Sequence, residues 1–184
     1  MLRRVLISGY KATELGIFSL KHPGIAIIKK AIKKQLQSLI DDGLEWVIIS
    51  GQWGVEIWAA EVVIEMKQSY SYLQLAVITP FIDQEENWNE EKKEVYSNVL
   101  RNADYLNSVS KKKYEGGWQF KEKNKFLLRN TDGLILIYDE ENPGSPRFMK
   151  ELAEQWGYTN DYMILTINAF DLQSIADEEQ LNSY

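Results

Sequence analysis

Cysteine is absent from the chain, so neither a disulfide nor a thiolate metal site can form. Histidine is nearly absent. A histidine-based metal centre or a Ser-His-Asp triad would have to be built on His22 alone. That residue precedes Pro23 in irregular sequence and reads either as an ordinary hydrogen-bonded histidine or as a catalytic one. No run approaches the roughly 20 apolar residues that a membrane-spanning helix needs. The basic start MLRR passes directly into a strand-like pattern, so neither membrane insertion nor a signal peptide is expected. Positive charge is in deficit, with 21 Lys and Arg against 27 Asp and Glu, a net charge of −6 and a pI near 5.0. That balance weighs against nucleic acid as the main partner, because covering phosphates needs a basic surface. The lack of cysteine also fits a reducing compartment, and a cytoplasmic location is expected.

What is present suits a globular fold. The chain has 184 residues, 45% of them hydrophobic and 26% charged, and one domain over residues 1–184 is the simplest organisation. Short apolar runs alternate with stretches of helical period. Residues 3–8 (RRVLIS), 46–50 (WVIIS), 73–79 (LQLAVIT), 105–110, 134–138 (LILIY) and 162–167 read as strands. Ile25, Ile28, Ile32, Leu36, Leu39 and Ile40 define a helix that stops near Gly43. Further helices are expected over 55–66, 83–103, 120–130 and 147–156, with residues 13–23 irregular and an acidic tail from Asp171 that frays. Several strands are continuous apolar runs, as in a sheet covered on both faces. The expected fold is α/β, a Rossmann-like three-layer sandwich with a mostly parallel sheet.

In such sheets ligands bind outside the carboxyl ends of the strands. Four loops meet there: Gly9-Tyr10-Lys11, Gly51-Gln52-Trp53-Gly54, Thr79-Pro80-Phe81, and Tyr138 through Ser145. The second joins a buried strand to a helix through a glycine-bracketed turn. It is read as a phosphate cradle, in which backbone N–H groups and a helix N-terminus face an anion. Gly51 and Gly54 fit half of a dinucleotide fingerprint and equally fit a tight strand-to-helix corner. Glu56 serves either as a favourable charge in a first helical turn or as a partner of a ribose hydroxyl. Ser145 and Pro146 suit a helix start with or without a ligand. Arg147 and Lys11 can reach a phosphate or stay solvated. Tyr10 and Trp53 can stack on a base or line the sheet edge. Asp139, Glu140 and Glu141 are better read as a solvated acidic loop than as a metal site, and no metal is expected.

The blocks ISGYKATELGIF, ISGQWGVEIWAAE, AVITPF and NTDGLILIYDEENPGSPRFM together resemble the YpsA family of Firmicutes, over nearly the whole chain. That family is grouped in the SLOG superfamily with DprA proteins and the LOG phosphoribohydrolases. The resemblance implies a nucleotide or ADP-ribose-like ligand, an association with cell-division proteins, and a homo-oligomer. It places the glycine-rich site at Gly51, Gly54 and Glu56, with a second block at Gly144 and Ser145. Departures are specific. The LOG block PGGxGTxxE becomes Pro143-Gly144-Ser145 running to Glu151, with Arg147-Phe148 in place of Gly-Thr. The arginine of the LOG helix falls at Lys123, and the DprA Gly-Ser-Arg becomes Gly9-Tyr10-Lys11. Three functions stand against one another: a nucleotide-binding regulator; an N-glycosidic hydrolase using Glu56 or Glu151 on an oxocarbenium-like charge; and an interaction module with a vestigial pocket.

Overall fold

The computed structural model describes residues 1–183. Six strands form one sheet: β1 (Arg4–Ser8), β2 (Trp46–Ile49), β3 (Gln74–Thr79), β4 (Tyr105–Ser108), β5 (Gly133–Ile137) and β6 (Met163–Ile167). Their order is β4-β3-β2-β1-β5-β6 and every pairing is parallel. The central strands are buried on both faces, which is why they read as unbroken apolar runs.

Six helices cover the sheet: α1 (Pro23–Asp41), α2 (Val55–Met66), α3 (Glu90–Asn102), α4 (Trp118–Arg129), α5 (Pro146–Gly157) and α6 (Ala169–Leu181). Helix α2 packs between α1 and α3, and α6 packs on α1, while α4 and α5 pack on each other. Because α2 is flanked on both sides, apolar residues surround it: Val55, Ile57, Trp58, Ala59, Ala60, Val62, Val63 and Met66 are all buried. The chain moves outward from β1 to β4, then crosses back through α4 to β5 on the other side of β1. The reversal of strand order therefore lies between β1 and β5.

Three expectations are corrected. The segment after β3 does not become helical at Asp83. Asp83 has φ +57°, and α3 starts only at Glu90, where the Asn89 side chain accepts from Lys92 N at 2.9 Å. The stretch between β1 and α1 is not wholly irregular, because Ala12–Leu15 form one 3₁₀ turn ended by Gly16. The acidic tail is helical. Asn168 and Asp171 form a capping box at the start of α6, and Ile175 is buried. His22 is the N-cap of α1, with Nδ1 accepting from Gly24 N at 3.0 Å.

A candidate anion pocket at the strand-order reversal

A pocket of about 330 Å³ opens where the strand order reverses. Its inner wall is the end of β1, with Ser8, Gly9 and Lys11, together with Gln52 from the turn after β2. One side is the start of α4, with Phe120, Lys121, Lys123 and Asn124. The other is the start of α5, with Ser145, Pro146, Phe148 and Met149. Among the described residues three lysines line it and no carboxylate does, in a chain of net charge −6. Asn124 Oδ1 is buried without a hydrogen-bond partner, an unmet demand that a ligand donor would satisfy.

Beneath the pocket lies a buried polar chain. Lys123 Nζ donates to Ser50 Oγ at 3.4 Å, and Ser50 Oγ donates to Glu56 Oε1 at 2.8 Å. Ser50 N donates to the same oxygen at 2.6 Å. Glu56 and Lys123 are only 3% and 8% exposed. Burial pushes the Glu56 carboxyl up from its ordinary range, while Lys123 and the Ser50 donors pull it back. Burial pushes Lys123 down, Glu56 raises it, and Lys11 lowers it further. Two donors converge on one carboxylate oxygen, an arrangement suited to the ionised form.

The glycine turn is covered by chain segments folded against it. Gly54 has φ +140° and pairs with Lys11 as an isolated bridge. Val55 N donates to Tyr10 O at 3.1 Å, and Ala12 N donates to Trp53 O at 3.1 Å. The backbone of residues 10–12 thus lies across the start of α2, where Val55, Glu56 and Ile57 are buried. Gly51, with φ +79°, abuts Gln84 and Tyr96. Of the residues expected at the site, Gly9, Lys11, Gln52 and Ser145 line the pocket. Gly51, Gly54 and Glu56 stand behind or below its wall.

The others lie elsewhere. Tyr10 is buried and stacks on Tyr138 with centroids 6.3 Å apart. Its hydroxyl donates to the carbonyls of Asn142 and Asp139 and accepts from Asp139 N at 2.8 Å. It clasps the loop before α5 rather than offering a face to a base. Replacing Tyr10 with Phe is expected to lower unfolding free energy by about 1–2 kcal/mol, read from a urea transition, because the Asp139 amide loses its acceptor. Trp53 packs edge-on against Trp88. Thr79 and Pro80 serve the β3–β4 end, where Thr79 Oγ1 bonds Ser108 Oγ at 2.6 Å and Pro80 O accepts from Ser110 N. Gly144, with φ +44°, passes Tyr10 and Glu14 closely. Arg147 and Glu151 face each other along the outside of α5, with Arg147 Nε 3.9 Å from Glu151 Oε1. Asp139 Oδ1 accepts from Glu141 N at 2.8 Å, and Glu140 lies 3.2 Å from Lys150 Nζ, so that acidic loop is tied to itself and to α5.

The sequence reading missed Glu14. Its carboxylate accepts from Ser145 N at 2.7 Å, from Ser145 Oγ at 2.8 Å and from Lys11 N at 2.8 Å. An internal anion therefore already sits at the first turn of α5. Glu14→Ala is expected to cost about 1 kcal/mol in thermal or urea unfolding, the usual cost of a lost helix cap. Phe120, Lys121, Asn124, Phe148 and Met149 were also missed. Residues 120–130 read in sequence only as a helix, and only the LOG-like alignment pointed at Lys123.

A model of the YspA SLOG family (YpsA) matches residues 5–172. The chain belongs to that family. A UPF0398 protein of Brevibacillus brevis is 56% identical over 184 residues, covering 100% of this chain and 98% of the relative. A UPF0398 protein of Lysinibacillus sphaericus is 58% identical over 95% of this chain and 98% of its own. One from Bacillus cereus is 50% identical over 99% of both. Among solved structures, DNA processing protein A of Helicobacter pylori, described with a single-stranded DNA binding mode, aligns with a TM-score of 0.55 and 16% identity. The alignment covers 98% of this chain and 81% of that one. At that identity the shared property is the Rossmann-like fold. Among the described residues no helix is long and apolar enough to cross a membrane.

Proposed function

We propose that this YpsA-family chain binds a nucleotide or nucleotide-derived ligand in the pocket between α4 and α5 and acts as a regulatory module. The observation that carries this reading is the lining itself. Lys11, Lys121 and Lys123 stand there without a carboxylate, beside the apolar wall of Phe120, Phe148 and Met149. Three ammonium groups suit phosphate, an aromatic wall suits a base, and Asn124 brings a buried acceptor without a partner. The volume falls at the lower end of the roughly 300–1,000 Å³ typical of small-molecule sites. The SLOG assignment supports the same ligand class. A cell-division partner and a homo-oligomeric state belong to this proposal by family resemblance. Filamentation or division defects on deletion, repaired by the wild-type chain, would test the former.

The test is calorimetric titration with nucleoside mono- and diphosphates, ADP-ribose and a nicotinamide dinucleotide. Binding by one of them is expected, and Lys11→Ala or Phe120→Ala should weaken it about 10-fold or more, since both side chains are at the surface. Silence from the whole panel sinks the proposal and leaves the interaction module. Hydrolysis of an N-glycosidic bond is the weaker reading. It needs a carboxylate at the sugar, whereas Glu56 is bound to Ser50 below the floor and Glu151 lies outside. Release of free base from a nucleotide panel, abolished by Glu151→Gln, would restore it.

Single-stranded nucleic acid is the second binding reading. Phe81, Tyr114 and Phe120 form an aromatic cluster with centroids 5.3–6.1 Å apart, continuous with the pocket through Phe120. The nearby Lys112 and Lys113 already face Glu115, Asp83 and Glu86, which lowers their value to a phosphate backbone. Salt-dependent binding of a short oligonucleotide, lost in Tyr114→Ala, would favour it; no binding at 50 mM salt removes it.

A further inference from the structure

We infer that the pocket floor takes a compact dianion, the terminal phosphate of a phosphate monoester, with Lys123 as its contact and Glu56 as a positioning residue acting through Ser50. The inference rests on the nucleotide-site reading above and narrows it. Lys123 carries three N–H donors, and among the described residues Ser50 Oγ is its one hydrogen-bond partner, at 3.4 Å. Lys123 is 8% exposed as a residue and lines the pocket, so its remaining donors face the cavity rather than open solvent. The Ser50 hydroxyl is committed as a donor to Glu56, which leaves its lone pairs for Lys123. Glu56 thereby orients an ammonium that it does not itself touch.

Charge then selects the ligand. Lys11, Lys121 and Lys123 place three positive charges on the lining, the buried Glu56 and the Glu14 carboxylate behind Ser145 offset about two, and the balance stays positive. A phosphate monoester carries about −1.5 to −2 near neutral pH, with its second ionisation near pH 6. A pyrophosphate linkage between two nucleosides spreads a similar charge over a longer group, each phosphate carrying about one. The unpartnered Asn124 Oδ1 adds an acceptor for a hydroxyl or amine of the attached nucleoside.

The groups facing Lys123 are Glu56 from α2 and Lys11 from the loop after β1, with Lys121 on its own helix. Burial and Lys11 both lower its pKa, and Glu56 alone opposes them. Anion affinity is therefore lost as pH rises through the lowered Lys123 value. Without the Glu56 charge that loss comes at lower pH.

The experiment compares inorganic phosphate, a nucleoside 5′-monophosphate, its free nucleoside and ADP-ribose by titration calorimetry from pH 5.5 to 9. The monophosphate is expected to bind at least 10-fold tighter than ADP-ribose and about 100-fold tighter than the nucleoside. Its affinity should rise from pH 5.5 to 7 as the second phosphate charge forms. Glu56→Gln should bind about 10-fold weaker at pH 7, with the deficit widening toward pH 9. Glu56→Gln with Lys123→Arg, whose guanidinium stays charged, should regain affinity and flatten that profile. ADP-ribose binding as tightly as the monophosphate overturns the inference, and so does a Glu56→Gln profile parallel to the wild type. If ADP-ribose binds tighter and Lys11→Ala weakens it, the site reading survives while the monoester assignment fails. If none of the four compounds binds, both fail. The wild-type ligand comparison stands even where a buried variant does not fold.

Discussion

Glu56→Ala is expected to lower the free energy of unfolding by about 3–5 kcal/mol, the usual cost of leaving a buried charge without its counter-charge. For a chain of this length that corresponds to a fall in melting temperature of about 6–20 °C. Two losses combine. The Ser50 N–H and hydroxyl lose the oxygen they bond at 2.6 and 2.8 Å, and Lys123 keeps a buried ammonium with Lys11 nearby. The pH dependence has a definite sign. With Glu56 gone, the folded pKa of Lys123 falls further below its unfolded value, so the unfolded chain binds more protons between the two. Stability of the variant should then rise with pH from neutrality toward the ordinary lysine range. Glu56→Leu combined with Lys123→Met should recover most of the loss, because removing both members of a buried pair is far cheaper than removing one. Urea unfolding between pH 7 and 10 measures all of this. A loss under about 1 kcal/mol, or a double variant no better than Glu56→Ala, would show that the two charges are not coupled.

Gly54→Ala is the second large effect. A Cβ at this position would lie 2.6 Å from both Tyr10 O and Ala12 N, on a backbone with φ +140° and ψ −133°. That region is essentially reserved for glycine and costs a side chain about 1–3 kcal/mol, with about 1–3 kcal/mol more for forcing backbone apart in a packed interior. A total near 4 kcal/mol is expected, accompanied by weaker binding because Lys11 is displaced with its strand bridge. Gly16→Ala is the control. It also has positive φ, at +66°, but nothing lies within 4 Å of the added carbon, so only about 1–2 kcal/mol is expected. Equal losses in the two variants would mean that φ alone, and not the crossing of residues 10–12, holds Gly54 in place.

These two positions show how far the sequence could be read. The strands were legible because β1, β2, β3 and β5 are buried on both sides and leave unbroken apolar runs. The special role of residues 50–56 was legible too, but its physical meaning was not. The glycines are required by chain segments folded against them, Lys11 against Gly54 and Gln84 against Gly51, and no local pattern encodes such an approach. Lys123 stands within Lys-Glu-Lys-Asn-Lys, where four neighbours are exposed or half-exposed and it alone is buried. What buries it is the packing of α4 against β3 and α5, which sets Lys123 over Ser50 at the end of β2 and is fixed by the long crossover from β4 to β5. Tyr10 and Glu14 find their partners about 130 residues away. The acidic stretch after Asn168 was misread because its charge suggested solvent, while its capping box and Ile175 make it a docked helix.

The pocket between α4 and α5 is the claim on which function rests, and a crystal structure grown with a nucleoside 5′-monophosphate tests it most directly. Density is expected in that pocket, with phosphate oxygens within hydrogen-bond distance of Lys123 Nζ and Lys11 Nζ and the base against Phe120. Density centred instead on the turn from Gly51 to Gly54, or confined to the open groove between α1 and α6, would contradict it.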